Sequence, residues 1–133
     1  MKNKIAVIFG ISGQDGSYLA DFLISKGYNI VGVTRNKSKK NLHRLEKLKI
    51  LNKVKLIQSS FVSVKFIDNL LKKYKNIYEI YYLAGESSVT KSFINPENSL
   101  KSNTFGILNI LLSIKKNKKK IRIFNASSAQ IFG

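Results

Sequence analysis

The chain has 133 residues, 44% of them hydrophobic, with 1 proline and 8 glycines; that suffices for one buried core and argues against low-complexity or disordered material. It has no cysteine and a single histidine, His43, which excludes disulfides, thiolate metal sites and a zinc cluster, so no metal site is expected. The formal charge of +17 attracts polyanions, but the lysines gather at Lys37 to Lys40, Lys72 to Lys75 and Lys115 to Lys120, at loops and helix ends rather than along one aromatic-interleaved stripe, so a solvated surface is expected and nucleic acid is not the expected partner.

Ile5 to Phe9 is a short apolar, β-rich run that stops at Gly10. It is too short for a signal-peptide core and far short of the roughly 20 residues of a membrane helix, so the cytoplasm is the expected location and no membrane partner is expected. Tyr18, Leu19, Phe22 and Leu23 then recur at helical spacing until Gly27, which predicts strand, tight turn, helix. Ile30 to Thr34 is a second strand. Leu42, Leu45 and Leu48 mark a helix, with Leu51 a further candidate for its stripe, and Val54 to Gln58 is a third strand. Phe66, Ile67, Leu70, Leu71 and Tyr74 form the apolar stripe of the next helix, before the strand Ile77 to Leu83. A last helix is expected from Pro96, which suits a first turn, to Ile114, and a fifth strand over Ile121 to Ala126. Strands alternating with helices in this way predict an α/β fold, a doubly wound parallel sheet with right-handed crossovers. Residues 1–133 are read as one domain without internal repeats, truncated after the fifth strand, where such a fold ordinarily continues.

Gly10, Gly13 and Gly16 follow the first strand and open the first helix with the spacing GxxGxxG, the context a dinucleotide-binding turn requires. Gly10 allows the sharp turn, Gly13 lets backbone approach a pyrophosphate, and Gly16 lets the helix pack close to the strand. The N–H groups and positive dipole end of the helix would face the phosphates. This spacing resembles the short-chain dehydrogenase/reductase version of the motif. The longer string Gly10-Ile11-Ser12-Gly13-Gln14-Asp15-Gly16-Ser17-Tyr18-Leu19-Ala20 is similar to that of the GDP-mannose 4,6-dehydratases. The resemblance implies that Ser12, Gln14 and Asp15 line the cofactor; Asp15 also suits a helix first turn on dipole grounds alone.

An NAD site usually places an acid at the end of the second strand, and an arginine there accommodates a 2′-phosphate instead. Here the strand ends in Arg35 with no acid nearby, so NADP is the expected cofactor. Val33-Thr34-Arg35-Asn36-Lys37-Ser38, with Asn41 and Arg44-Leu45 downstream, is similar to the family's Arg-Arg-Ser-Ser loop and its later Asn and Arg-Ile, with Asn36 in place of the second arginine. At the adenine end, Ser60 of Ser59-Ser60-Phe61 stands where the family carries an Asp; it can hydrogen-bond but offers no carboxylate. Leu83-Ala84-Gly85-Glu86-Ser87-Ser88-Val89, followed by Ser92-Phe93 and Pro96, resembles the family's signature after the fourth strand. That resemblance assigns Leu83, Ala84, Gly85, Glu86 and Ser87 to ribose and nicotinamide contacts, with Glu86 where glutamine is usual.

The stretch Phe124 to Gly133 resembles the dehydratase segment whose Ser/Thr-x-Glu carries chemistry, with Ser128 at the hydroxyl position and Gln130 at the glutamate position. The family takes hydride from C4 of the hexose onto NADP, eliminates water across C5 and C6 with help from the glutamate, and returns hydride to C6. The hydroxyl polarises the sugar oxygen and a tyrosine acts as base beside a lysine. An amide neither takes nor gives that proton, so Gln130 is expected to slow elimination by roughly 10²- to 10⁴-fold. The family's Tyr-x-x-x-Lys falls beyond the equivalent of Gly133, so this polypeptide by itself is not expected to turn over substrate. The implied substrate is a nucleotide sugar, GDP-mannose, and the implied assembly of the full-length family is a homo-oligomer formed through long helices, one of them like Pro96 to Ile114. Two alternatives stand beside this reading. Ser127-Ser128-Ala129 with Gln130 also resembles nucleotide-sugar epimerases and reductases, and the fold could serve as a non-catalytic binding module.

Overall fold

The computed structural model describes residues 4–85 and 89–127. Its elements are β1 (Ile5–Phe9), α1 (Gln14–Ser25), β2 (Asn29–Thr34), α2 (Lys39–Lys47), β3 (Val54–Gln58), α3 (Val64–Lys73), β4 (Ile77–Tyr82), α4 (Val89–Ile94), α5 (Pro96–Leu100), a π turn (Lys101–Phe105), α6 (Gly106–Lys116) and β5 (Arg122–Asn125). The strands form one parallel sheet in the order β3-β2-β1-β4-β5. This is the doubly wound arrangement, and helices on both faces explain why β1 and β2 read as continuous apolar runs.

Alternate residues of β1 and β2 feed two cores. Ala6, Ile8 and Ile30 pack with Ala20 and Leu23 of α1 and with Leu42 and Leu45 of α2. Val7, Phe9, Val31 and Val33, with Ile80 and Tyr82 of β4, pack with Ile67, Leu70 and Leu71 of α3 and with Ile110 and Ile114 of α6. Asp68 of α3 ties the second layer together. Its carboxylate accepts from the buried Ser113 hydroxyl, from Asn117 Nδ2 at 2.8 Å and from Lys116 Nζ at 2.7 Å. The Lys116 bond, then the Ser113 bond, hold the Asp68 carboxyl down from the ordinary 3.8 to about 2.

The structure corrects the expected apolar stripe of α1. Tyr18 and Phe22 are 60% and 55% exposed, whereas Gly16, Ser17, Ala20 and Leu23 are buried. The cause lies at the turn. A Cβ at Gly16 would come within 2.8 Å of Ile11 Cα, so the helix sits on the end of β1 too closely for a large side chain, and small residues face inward.

The helix expected from Pro96 to Ile114 forms as one unbroken run of α5, a π turn and α6, with one register change inside it: the Gly106 N–H is bonded to the Lys101 carbonyl five residues back. α4 precedes it, and the sequence pattern did not separate α4 as an element. Leu51 lies outside α2, in a short 3₁₀ turn over Leu51–Lys53. Among the described residues no helix is long and apolar enough to cross a membrane, and no cluster of metal-ligating side chains occurs.

Candidate functional site

Helices α1 and α2 cover one face beside β1 to β3, and α3 and α6 cover the other, so the winding reverses between β1 and β4. The carboxyl ends of strands at such a reversal are where open α/β sheets bind ligands. A cleft of about 1090 Å³ opens there.

Its floor is the turn after β1. Gly10 has φ +83°, and a Cβ on it would come within 2.9 Å of the Leu83 and Ala84 backbone. Glycine is therefore required both for the turn and for the closeness of β1 to the exit of β4. The turn is closed by Gly10 N–H to Val33 O at 3.0 Å and Gly13 N–H to Gly10 O at 3.0 Å. Gly13 occupies the N-cap of α1, where no side-chain hydrogen bond caps the helix, so the N–H groups of the first turn are left free of a side-chain acceptor at the cap, with Asp15 on the same turn.

Beside the turn lies a polar network. Ser12 Oγ is 3.0 Å from Thr34 Oγ1, and Thr34 Oγ1 donates to Asn36 O at 3.1 Å. Asn41 Nδ2 of α2 reaches Ser12 Oγ at 3.1 Å, Thr34 Oγ1 at 3.0 Å and Asn36 O at 2.5 Å, so its two N–H groups are shared among those acceptors. Arg44 donates to Ser12 O at 3.4 Å. The network locks the β2 exit to α2 and leaves Arg35 and Arg44 exposed at the cleft. The described lining carries the cations Arg35, Arg44 and Lys101 and no carboxylate; Lys101 Nζ is ion-paired at 2.6 Å with Glu97, next to the lining on α5, so the positive field comes from the two arginines. That field suits a ligand with several negative charges.

The far side is formed by Tyr82, Leu83, Ala84 and Gly85 at the exit of β4 and by the segment from Ile94 to Ser102. Tyr82 is buried, which pushes its phenol up from the usual range. The phenol donates its proton to the Ser102 carbonyl and serves as a structural donor.

Residues 7–133 match the family model described as GDP-mannose 4,6 dehydratase. The chain belongs to this family. It is 38% identical to GDP-mannose 4,6 dehydratase 2 of Caenorhabditis elegans over 99% of this chain and 37% of that protein. With the GDP-mannose 4,6-dehydratase of Yersinia enterocolitica it shares 35% identity over 98% of this chain and 37% of that protein. The chain thus spans about 37% of the length of these curated relatives. Among solved structures, UDP-glucose 4-epimerase of Bifidobacterium longum in complex with NAD⁺ and UDP superposes with TM-score 0.80 at 26% identity, over 97% of this chain and 38% of that one. UDP-glucose 4-epimerase of Stenotrophomonas maltophila superposes with TM-score 0.79 at 21% identity, over 96% of this chain and 38% of that one, a likeness of fold.

Within this GDP-mannose 4,6 dehydratase family chain, Gly10, Ser12, Gly13, Arg35, Ser60, Leu83, Ala84 and Gly85 converge on one cleft. Gln14 and Asp15 are exposed on the first turn of α1 and Gly16 is buried beneath it; these residues flank the lining. Glu86, Ser87, Ser128 and Gln130 lie outside the described residues. Sequence reasoning quotes Thr34, Asn36, Asn41, Arg44 and Phe61 within motifs without giving them a place in the site, and it misses Tyr82, Lys101 and Ser102. Asn41 and Arg44 had a signal, the i,i+3 spacing that puts both on one helix face. Tyr82 had none, because a tyrosine inside a strand reads as core.

Proposed function

We propose that this chain is the cofactor-binding part of an NADP-dependent enzyme that modifies a nucleotide sugar, acting as a GDP-mannose 4,6-dehydratase. The observation that carries the reading is the β2 exit. Arg35 and Arg44 flank a glycine turn capped by no side chain, in a cleft whose described lining has no carboxylate to accept ribose hydroxyls. A 2′-phosphate fits that charge, and a pyrophosphate fits the N-terminus of α1. The volume, about 1090 Å³, lies just above the roughly 300–1,000 Å³ of ordinary small-molecule sites, as a dinucleotide needs.

In this reading Gly10, Ser12 and Gly13 hold the pyrophosphate, with Gln14, Asp15 and Gly16 forming the helix turn behind it. Arg35 holds the 2′-phosphate, Ser60 borders the adenine, and Leu83, Ala84, Gly85, Glu86 and Ser87 border the nicotinamide ribose. When bound, NADP supplies a reversible hydride acceptor. Ser128 would polarise the sugar oxygen and Gln130 would take the glutamate's place without its proton, so elimination would be slowed by roughly 10²- to 10⁴-fold. The same glutamine favours a second reading, a 4-reductase or epimerase on a nucleotide sugar, neither of which needs that carboxylate. The full-length protein would self-associate through α6, whose Leu108, Leu111 and Leu112 are 42%, 47% and 48% exposed. A cytoplasmic location completes the proposal.

Titration of the chain with NADPH and NADH by nicotinamide fluorescence tests the cofactor assignment. The expected result is a tighter NADPH, by about tenfold or more, because a phosphate held by arginine gains charge-assisted bonds. Equal affinities, or tighter NADH, would overturn NADP. Salt-sensitive binding to DNA or RNA, with no NADPH affinity at roughly 200 mM salt, would favour a nucleic-acid module instead.

A further inference from the structure

Between α5 and α6 the chain makes its π turn, Lys101–Phe105, a geometry that is rare and concentrated at functional sites. Tyr82, the last residue of β4 and 3% exposed, stands beneath it. Its hydroxyl donates to the Ser102 carbonyl inside the turn, and its ring packs beside Phe9 with centroids 5.7 Å apart. Gly106 closes the turn because nothing larger fits: a Cβ there would come within 2.6 Å of Tyr82 Cζ. On the cleft side, Asn103 stands against Gly85, where an added Cβ would lie 2.5 Å from Asn103 Oδ1. Lys101, Ser102, Tyr82 and Gly85 line the same cleft.

One residue of helix spans about 100°, so relaxing the π turn to α register would rotate Ser102 and Asn103 by about that angle relative to α6, turning Ser102 off the cleft and Asn103 away from Gly85. The bonds of Ser12, Thr34 and Asn41 run to one another and to Asn36, at the β1–β2 end. The two ends of the cleft are therefore held by different residues.

We propose that Tyr82 is a positioning residue for the nicotinamide half of the dinucleotide. Its hydroxyl holds the π turn that sets Asn103 against Gly85 and Lys101 and Ser102 over the cleft. This inference rests on the cofactor reading above. A dinucleotide crossing the switch point puts its adenosine half on the β2 side and its nicotinamide half on the β4 side, so only the second half bears on the turn.

The test is Tyr82→Phe, titrated with NADPH and with adenosine 2′,5′-bisphosphate, which carries the 2′-phosphate and adenine but no nicotinamide. The expected result is a loss of about 3- to 10-fold in NADPH affinity, the worth of one hydrogen bond, with bisphosphate affinity unchanged. Amide hydrogen exchange over residues 101–106 should speed up while β1 stays protected, and Gly106→Ala, which displaces the ring, should reproduce both effects. Equal losses for the two ligands, or no loss for either, would overturn the positioning role while wild-type binding stands. Failure of the wild-type chain to bind either ligand would overturn the cofactor reading itself, and this proposal with it.

Discussion

The two ends of the cleft are built differently. At the β1–β2 end, Ser12, Thr34, Asn36 and Asn41 form a web in which each group has more than one partner. At the β4 end, the bonds of Ser99, Ser102 and Lys101 run along the 95–103 segment itself, and the Tyr82 hydroxyl on Ser102 O, with the closeness of Gly85 to Asn103, ties that segment to β4. A web between elements spreads the cost of losing one member, whereas the Tyr82 tie from β4 to the turn concentrates it. Rigid recognition of a phosphate suits the first, and the second places its side chains through backbone geometry.

The largest expected effect is one that removes the distinction altogether. Gly16→Val drives a branched side chain into the Gly10 and Ile11 backbone, where even a Cβ meets Ile11 Cα at 2.8 Å. Overpacking of this kind costs about 3 kcal/mol, so thermal denaturation should show a large loss of stability and both ends of the cleft should fail together. Arg35→Asp breaks the first end alone. Charge-assisted bonds are worth about 1.5–3 kcal/mol, so NADPH should bind roughly 10- to 100-fold more weakly in fluorescence titration while NADH changes little. Asn41→Ala sharpens the contrast with Tyr82→Phe. Because Ser12 and Thr34 keep each other as partners, its cost should stay near about 1 kcal/mol, read from denaturant unfolding, and should fall on adenosine 2′,5′-bisphosphate as much as on NADPH.

The smallest effect lies outside the cleft and serves as a control. The folded-state pKa of Asp68 is depressed from 3.8 to about 2. Its contribution is therefore fully present above the unfolded value and is lost as pH falls through the folded one. Asp68→Asn should flatten the stability change between pH about 4 and about 2 and leave ligand titrations near neutral pH untouched.

The asymmetry also explains what the sequence could disclose. At the first end the glycine string after an apolar run and the arginine where β2 stops were legible because they are local, but the web of Thr34 and Asn41 on Ser12 was not, since it joins residues 7 to 29 apart. Every strand was legible from its local pattern too, with ends displaced by one residue or so. The second end depends on long-range geometry. Tyr82 is 20 residues from the carbonyl it bonds, and the helix read from Pro96 to Ile114 carries no internal proline to announce the π turn. Helix α1 failed differently. Periodicity ranks Tyr18 and Phe22 above Gly16, Ser17 and Ala20, but close approach to the β1 turn reverses that ranking.

The most direct test of the central claim, that the switch-point cleft holds NADP with its phosphates at the β1–β2 end, is an amide chemical-shift map of the chain titrated with NADP⁺. The account predicts saturable shifts at Gly10, Ser12, Gly13, Arg35 and Asn41, with further shifts at Gly85 and Ser102 and none at Asp68 or Asn117. Shifts confined to the lysine clusters at 72–75 and 115–120, non-saturating and abolished by salt, would contradict it and leave the +17 surface as the binding feature.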